Sequence, residues 1–497
     1  MNLASIIEPH PPDAVAFISR GRQTTYGQLR DQVAALRGGL TGLGIQPGDR
    51  VAILCENIRA FVDAYLATLG IGAVAVPLNP TNPAAAIQRE IAEVGAVAVV
   101  VGPAARSSWA QVDRTAIPTV VHVIGVDSDV DGASSSVRLD DLLASAPGPL
   151  VDVEGDQLAA LLFTSGTAGA PRAAMLTHGN LWANIEQSRS SGRFNASDVV
   201  FGVLPLHHIF GLNVMLGQTL AAGASIVLVH RFDPSTLIDT IGERGITIIP
   251  GVPPLWIALS QFTEAPADTF AGVRMALTGA SKMSEEASAA FKARFGIPIL
   301  EGYGLTEASP VVTTSAGVEP RPGSIGRVLA GIEVRLVDSS GEDVLEDDAG
   351  EIWVRGPNVF PGYWHDAEAT AKVLTPDGWL RTGDMAVMDD DGYLFIVDRL
   401  KDLVIVSGFN VYPAEVEEVI AEMPGVVEVA VLGVPHPHTG EAVKAYVVAS
   451  ADVDLHEEQV IEHCLDQLAR YKCPTKVLFV DQLPRGIGGK LLRRVLR

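Results

Sequence analysis

Short, unbroken apolar runs separated by longer mixed stretches constrain this chain more than any other feature. RVAILCEN from Arg50, AVAVPLN from Ala73, AVAVVVG from Ala96 and TVVHVIGV from Thr119 are continuous and rich in β-branched residues. Strands of that character are buried on both faces, as in parallel sheets covered by helices. The pattern returns at DVVFGVLPL from Asp198, ASIVLVH from Ala224 and ITIIPGV from Ile246. Between the runs lie helical stretches such as TYGQLRDQVAALRGGLTGLG from Thr25, which ends in a glycine stop, and PAAAIQREIAEVG from Pro83. Strand–helix alternation predicts an α/β fold with parallel sheets. The runs share no fixed short period, which excludes a solenoid.

After about Ala349 the texture changes. GEIWVRGPNVFPGYW and DGYLFIVDR read as short strands with turn punctuation. PAEVEEVIAEMPGVVEVAVLGVP, EAVKAYVVAS and DLHEEQVIEHCLDQLARY then give a helix–strand–strand–helix run, a separate α+β module of about 100 residues. The charged segment Asp398-Arg399-Leu400-Lys401-Asp402 marks the junction, giving an N-terminal domain of residues 1–398 and a C-terminal domain of residues 399–497.

With 497 residues, 47% of them hydrophobic, the chain can bury more than one core. A formal net charge of -23 argues against nucleic acid or an anionic membrane as partner. The three cysteines, Cys55, Cys464 and Cys473, are scattered, so neither a disulfide framework nor a zinc site is expected and a reducing compartment fits. The start, MNLASIIEPHPPDAVAF, lacks a basic segment before an apolar run, and no signal peptide is expected. The longest apolar stretch, residues 64–78, is broken by Gly70, Gly72 and Pro77 and falls short of the roughly 20 residues of a membrane helix. A cytoplasmic protein is the expectation.

Four segments carry candidate chemistry. In LLFTSGTAGAPRAAMLTHGN an apolar strand runs into Thr164, Ser165, Gly166, Thr167, Ala168 and Gly169, followed by Arg172. Glycines let backbone N–H groups converge on an anion, hydroxyls add donors and the arginine adds charge. The Walker pattern is absent, and an ordinary polar turn has the same composition. In Glu301-Gly302-Tyr303-Gly304-Leu305-Thr306-Glu307 a flat base can lie against backbone and ring, Thr306 can donate to a phosphate, and Glu307 offers the hard oxygen that Mg²⁺ prefers. A surface turn closing a buried strand reads the same way. In WLRTGD and VDRLKD, Asp384 can accept from ribose hydroxyls and Arg399 can donate to the same sugar, although charges in turns are ordinarily solvated. In LPRGIGGK, Lys490 follows a glycine-rich stretch and can reach an anion as a point charge, or can belong to a basic helix end.

Together and in this order, these segments resemble the acyl-adenylate-forming superfamily of acyl-CoA synthetases, adenylation domains and luciferases. The resemblance runs from TYGQL at Thr25 to Lys490. VIVSGFNVYPAEVE, GYGLTEASP, PGYW and ARYKCP look most like bacterial fatty-acyl-CoA synthetases. It implies a large N-terminal domain of two doubly wound sheets plus a distorted β-barrel, and a small mobile C-terminal domain. Thr164, Ser165, Gly166, Thr167, Gly169 and Arg172 would then hold the β- and γ-phosphates of ATP. Gly279, Ala280 and Ser281, with Glu301, Gly302, Tyr303 and Gly304, would frame adenine. Thr306 would contact the α-phosphate, Glu307 would hold Mg²⁺, Asp384 and Arg399 would hold ribose, and Lys490 would bridge the acid and the α-phosphate. Lys401 lies close to the implied hinge, and Ser407, Gly408 and Phe409 match a loop facing a thiol tunnel. His208, in LPLHHIFG, would wall the acid site, with Phe210, Val252 and Trp256 as candidate acyl-pocket residues that core packing explains equally well.

Three residues depart from that pattern. The loop reads TSGTAGAPRAA where the superfamily has TSGTTG-x-PKG, so Ala168 removes a hydroxyl, Arg172 replaces a lysine and Ala173 a glycine. The expected activity is ATP-dependent adenylation of a fatty or other apolar acid and transfer to CoA. Transfer to the phosphopantetheine of an acyl carrier protein, or a degenerate nucleotide-binding protein without activity, are the alternatives.

Overall fold

Each apolar run forms a strand. The computed structural model describes residues 1–127, 136–164, 171–189, 194–230, 232–338, 340–344, 348–399, 404–406, 409–436, 440–450, 452–468, 470–485 and 491–496, with the side chains at 398, 399, 405, 409, 410, 440 and 494 outside the description. These residues divide into two compact units. One comprises residues 1–322, 326–333 and 354–380, the other residues 323–325, 334–353 and 381–497. The expected junction after Asp398 lies inside the second unit, in the strand Leu394–Arg399.

The first unit holds two large sheets. A seven-stranded sheet runs in the order Ser136–Arg138, His122–Gly125, Ala98–Val101, Arg50–Leu54, Val74–Pro77, Leu158–Thr164, Arg172–Thr177. All its pairs are parallel except the last, a hairpin. A nine-stranded sheet is parallel through its middle, from Val15–Ser19 through Ser225–Leu228, Val199–Gly202, Ile248–Gly251 and Met275–Thr278 to Ile299–Gly304. Antiparallel strands extend it at both edges.

Local signals set the helices between the strands. Thr25 and Gln28 form a reciprocal capping box that starts the helix Tyr26–Gly42, satisfying two N–H groups the first turn would otherwise leave bare. Ser284 caps the helix Glu285–Phe295, and Gly296, at φ +77°, stops it in the left-handed region that only glycine enters cheaply. The buried face of that helix delivers Phe291 and Phe295 to a core shared with Trp256, Phe270, Leu237 and Ile249. Phe291 is central there, with ring centroids 5.2 Å from Trp256, 5.2 Å from Phe270 and 4.9 Å from Phe295.

The second unit contains a four-stranded sheet in the order Glu333–Val337, Gly350–Arg355, Leu380–Met388, Leu394–Arg399, where the resemblance implies a distorted barrel. It also contains a five-stranded sheet built on the long antiparallel pair Val426–His436 and Gly440–Ala449. The helices Pro413–Ala421 and Glu457–Gln467 cover that sheet through Val416, Ile420, Val460 and Cys464. This is the α+β module expected from the sequence. All three cysteines are buried and free, and among the described residues no helix is long and apolar enough to cross a membrane.

Truncating Phe291 to alanine would empty the centre of the aromatic cluster. The expected loss is about 3–5 kcal/mol of unfolding free energy, read by denaturant titration of the first unit's transition.

Candidate active site

Parallel α/β sheets present their functional loops at the carboxyl ends of the strands, and the candidate residues of the first unit lie there. The strand Leu158–Thr164 ends at Thr164, which pairs directly with Arg172 at the start of the returning strand. The phosphate-loop residues Ser165 to Gly169 lie between them, outside the described residues. Thr164 Oγ1 donates to the Arg172 carbonyl at 3.4 Å. Arg172 does not point freely into solvent. Its Nε donates to Asp366 Oδ2 at 3.0 Å, and its guanidinium carbon lies 5.8 Å from the centroid of the Tyr363 ring.

Tyr363 connects this hairpin to the second motif. Its hydroxyl donates to Glu307 Oε1 at 2.7 Å, and burial together with the neighbouring Glu307 charge pushes its pKa well above that of free tyrosine, so it stays a protonated donor. Arg172 and Glu307, distant in sequence, are thus separated by a single side chain. Neither Tyr363 nor Asp366 is identifiable as a site residue from sequence. PGYW reads there only as a subfamily marker, because the partners of Tyr363 lie far away along the chain.

The turn bearing Thr306 and Glu307 follows the strand Ile299–Gly304. Gly304 is needed for close approach, since a Cβ there would sit 2.0 Å from the Pro310 carbonyl oxygen. The turn's backbone is held by three buried asparagines. Asn184 donates to Val311 O at 2.8 Å and accepts from Val311 N at 3.1 Å. Asn213 donates to Ser309 O at 2.7 Å, and Asn358 to Ala308 O at 2.8 Å. The Glu307 carbonyl itself accepts from Phe360 N at 2.9 Å. Lone asparagines in apolar stretches are the only trace of this in the sequence.

The proposed adenine frame also converges. Thr278 pairs with Glu301, which sets Gly279 beside Gly302. A Cβ on Gly279 would lie 3.3 Å from Gly302 O and 3.4 Å from the Phe210 ring, so the glycine keeps this wall thin. Ala280 follows at φ +70°, a conformation costly for a residue with a Cβ and of a kind that clusters at binding sites. Burial pushes the Glu301 carboxyl up to about 7, against the opposing Met283 N–H and Lys282. Ser281 is exposed, and Tyr303 and Thr306 are half-buried.

His208 is exposed, and its Nδ1 accepts from Phe210 N at 3.2 Å. Burial, with the neighbouring His208, pushes His207 down to about 4. A π-helical segment, Phe210–Gly217, continues from here, a winding that often marks functional sites. Val252 is half-buried at the start of the helix Pro253–Gln261. Trp256, on that helix, is fully buried in the core, its indole N–H donating to Leu277 O at 3.2 Å.

In the second unit, Asp384 is 7% exposed and pairs in register with Arg399 across the strands Leu380–Met388 and Leu394–Arg399. The Arg399 and Phe409 side chains, and all of Lys401, Ser407, Gly408 and Lys490, lie outside the described residues. The chain on either side of Lys490 is anchored. Arg485 bridges to Leu491 and pairs with Glu428 at 3.0 Å. Arg493 donates to both oxygens of Glu417, at 2.6 and 2.8 Å, and Glu417 also accepts from Val431 N at 2.6 Å.

Glu307 suits a magnesium ion that shares its shell with phosphate oxygens. Its Oε1 is fixed by Tyr363, while Oε2 accepts no hydrogen bond among the described residues. No cluster of three or more His, Cys, Asp or Glu that could hold a metal occurs among them, and Mg²⁺ is commonly held by one or two carboxylates plus substrate phosphates.

The asparagine scaffold makes a testable prediction. Asn184→Leu removes both hydrogen bonds that its side chain makes to Val311, and should lower stability by on the order of 2 kcal/mol while lowering turnover further than melting temperature alone explains. Calorimetry and steady-state kinetics on the same preparation measure both.

Comparison with known proteins gives the family. A family model described as AMP-binding enzyme matches residues 7–364, and one described as AMP-binding enzyme C-terminal domain matches residues 415–490. A long-chain-fatty-acid–CoA ligase of Yersinia pestis is 36% identical over 98% of this chain and 91% of its own length. The 4-coumarate–CoA ligase 3 of Oryza sativa subsp. japonica is 33% identical over 96% and 87%. The crystal structure of ATP-bound MatB from Rhodopseudomonas palustris superposes with a TM-score of 0.91 at 36% identity, covering 100% of this chain and 98% of that one. With a family model over most of the chain, full-length relatives and a shared fold, the chain belongs to the AMP-binding enzymes and is an acid–thiol ligase of the acyl-CoA synthetase type.

Proposed function

We propose that the enzyme activates a fatty or other apolar carboxylic acid with ATP and transfers the acyl group to CoA, acting in the cytoplasm. The observation that supports the reading is the junction of Arg172, Tyr363 and Glu307, which brings together a cation and the carboxylate that would hold Mg²⁺. Phe210 and Val252 support an apolar acid site, with Trp256 as its backing and His208 at its wall. The relatives are named for a long-chain fatty acid and for 4-coumarate, so chain length and ring content are what the substrate panel must resolve.

A carboxylate is a poor electrophile until its oxygen is bonded to a good leaving group. In the proposed first step the acid's oxygen attacks the α-phosphorus of ATP, the bond to the β-phosphate oxygen breaks, and pyrophosphate leaves. Positioning and charge stabilisation do most of this work. Arg172, Thr164 and the loop residues 165–169 would hold the β- and γ-phosphates, and Thr306 the α-phosphate. Glu307 would hold Mg²⁺, which supplies charge neutralisation between phosphate oxygens. Gly279 to Ser281 and Glu301 to Gly304 would frame adenine, with Asp384 and Arg399 on ribose. Lys490 would neutralise the acid and the α-phosphate as they meet. The thiol then attacks the acyl carbonyl and AMP departs. We place the hinge of the mobile domain, residues 399–497, near Lys401, with Ser407, Gly408 and Phe409 along the thiol path.

Incubation with ATP, Mg²⁺, CoA and acids graded in chain length and ring content should give acyl-CoA and AMP from at least one apolar acid. Acyl-adenylate that only a carrier protein accepts would transfer the reading to a carrier-loading enzyme. Absence of acid-dependent pyrophosphate exchange with every acid would remove catalysis altogether.

Lys490→Ala should abolish pyrophosphate exchange yet spare thioester formation from supplied acyl-adenylate. Equal loss of both half-reactions, measured separately, would contradict the role given to Lys490.

A further inference from the structure

The turn at residues 362–366 is built more tightly than a connection between two elements requires. Gly362 sits at φ +141°, where a Cβ would also meet Thr370 at 2.6 Å. His365 occupies the left-handed region at φ +52°. Tyr363 and Asp366 close the turn on each other through an isolated bridge. Tyr363 is bridged on its other side to Ala174, in the strand that leaves the phosphate loop, and Trp364 N donates to Ala173 O at 2.8 Å. Non-glycine residues held in such conformations persist only where the surroundings over-determine them.

The turn aims two side chains at the two charges of the phosphate site. The Tyr363 hydroxyl takes one oxygen of Glu307 and leaves the other. Asp366 takes the Arg172 Nε, and among the described residues no hydrogen bond is made by either terminal nitrogen of that guanidinium. This division accounts for Arg172 standing where the superfamily has lysine. A guanidinium can face a carboxylate with one edge and a phosphate with another, whereas an ammonium on a flexible stem is a single point charge. Asp366 meanwhile caps the helix Ala367–Val373 by accepting from Ala369 N at 2.9 Å, so its own position is fixed.

We propose that Tyr363 and Asp366 are positioning residues forming one brace, which orients Glu307 toward the metal and Arg172 toward the β- and γ-phosphates of the nucleotide. The proposal rests on the assignment of Glu307 to Mg²⁺ and of Arg172 to phosphate. Outer-shell partners of metal ligands act in this way, and their loss commonly costs on the order of 10–100-fold in metal affinity.

The test uses the full-length enzyme and α,β-methylene-ATP, which cannot be cleaved at the reacting bond, with Mn²⁺ as probe. Binding is read by the electron paramagnetic resonance of free Mn²⁺ and by calorimetry of the nucleotide. Tyr363→Phe keeps the ring under Arg172 and removes only the hydroxyl, and Mn²⁺ binding to the nucleotide complex should weaken about 10-fold or more with an unchanged melting temperature. Asp366→Asn keeps the helix cap and removes the charge. It should weaken nucleotide binding, and Arg172→Lys, damaging in the wild-type background, should cost markedly less in the Asp366→Asn background. Glu307→Gln separates the brace from the assignment beneath it. If Glu307→Gln loses Mn²⁺ while Tyr363→Phe binds within about twofold of wild type, the brace is wrong and the assignment stands. If Glu307→Gln binds Mn²⁺ as wild type does, the metal assignment fails and the brace with it. Equal costs of Arg172→Lys in both backgrounds would overturn the part given to Asp366.

Discussion

A buried carbonyl without a partner costs 1–3 kcal/mol by typical estimates (~2 kcal/mol), and the turn from Gly304 to Val311 would bury several. Asn184, Asn213 and Asn358 meet that demand from three different segments of the chain, each supplying amide donors where no strand or helix can. The turn depends on this clamp, because Thr306 to Ala308 form only a single short helical turn with no regular structure to extend it. With its carbonyls satisfied from beneath, the turn can hold Thr306 and Glu307 only partly buried while the backbone below them is fixed. Two glycines complete the arrangement for a steric reason: Gly304 meets the Pro310 carbonyl, and Gly279 meets Phe210. A polar scaffold of this kind is worth having only when fully satisfied, and all three asparagines are buried in the first unit's interior.

The parallel sheets were legible because burial on both faces writes itself as continuous apolar runs. The runs at Arg50, Ala73, Ala96 and Thr119 each became a strand of one sheet, and those at Asp198, Ala224 and Ile246 of the other. The C-terminal α+β module was legible from the change in texture. The π-helical winding of Phe210–Gly217 was not, since an apolar segment carries no period that distinguishes it. Candidate site residues followed a different rule. Those contiguous in sequence, such as Glu301 to Glu307, declare themselves as a motif. Tyr363 and Asp366 act on Glu307 and Arg172 across the fold, and nothing in their immediate neighbours records that contact. Trp256 shows the converse limit, because an aromatic in such a segment reads the same from sequence whether it lines a pocket or packs in a core, and here it is fully buried in a core cluster.

The acidic balance of the chain, -23 overall, gives the arrangement around Arg172 its importance. A polyanionic nucleotide approaches a molecule of like sign, and screening at physiological ionic strength reduces long-range repulsion over about 8 Å. Local cations then decide where it binds. Arg172 is held beside one carboxylate, Asp366, and above an aromatic face, so its charge is partly balanced within the fold. The pairing with Asp366 lowers the carboxyl's affinity for protons, after the larger effect of the Ala369 N–H at the helix start. Asp366 thus accepts both from the Ala369 N–H as a helix cap and from Arg172.

The same logic appears in the second unit, around the chain on either side of Lys490. Glu417 and Arg493 are each only 18% exposed and meet through two hydrogen bonds, with Val431 N as a further donor to the carboxylate. Removing one member of a well-desolvated pair leaves the other uncompensated, so such a pair resists local opening even where its net contribution to stability is small. Leu492 N donates to Pro484 O at 2.8 Å, which joins the chain entering residues 486–490 to the chain leaving them. Arg172 is likewise fixed by direct contacts at its head, through Asp366 and the Tyr363 ring.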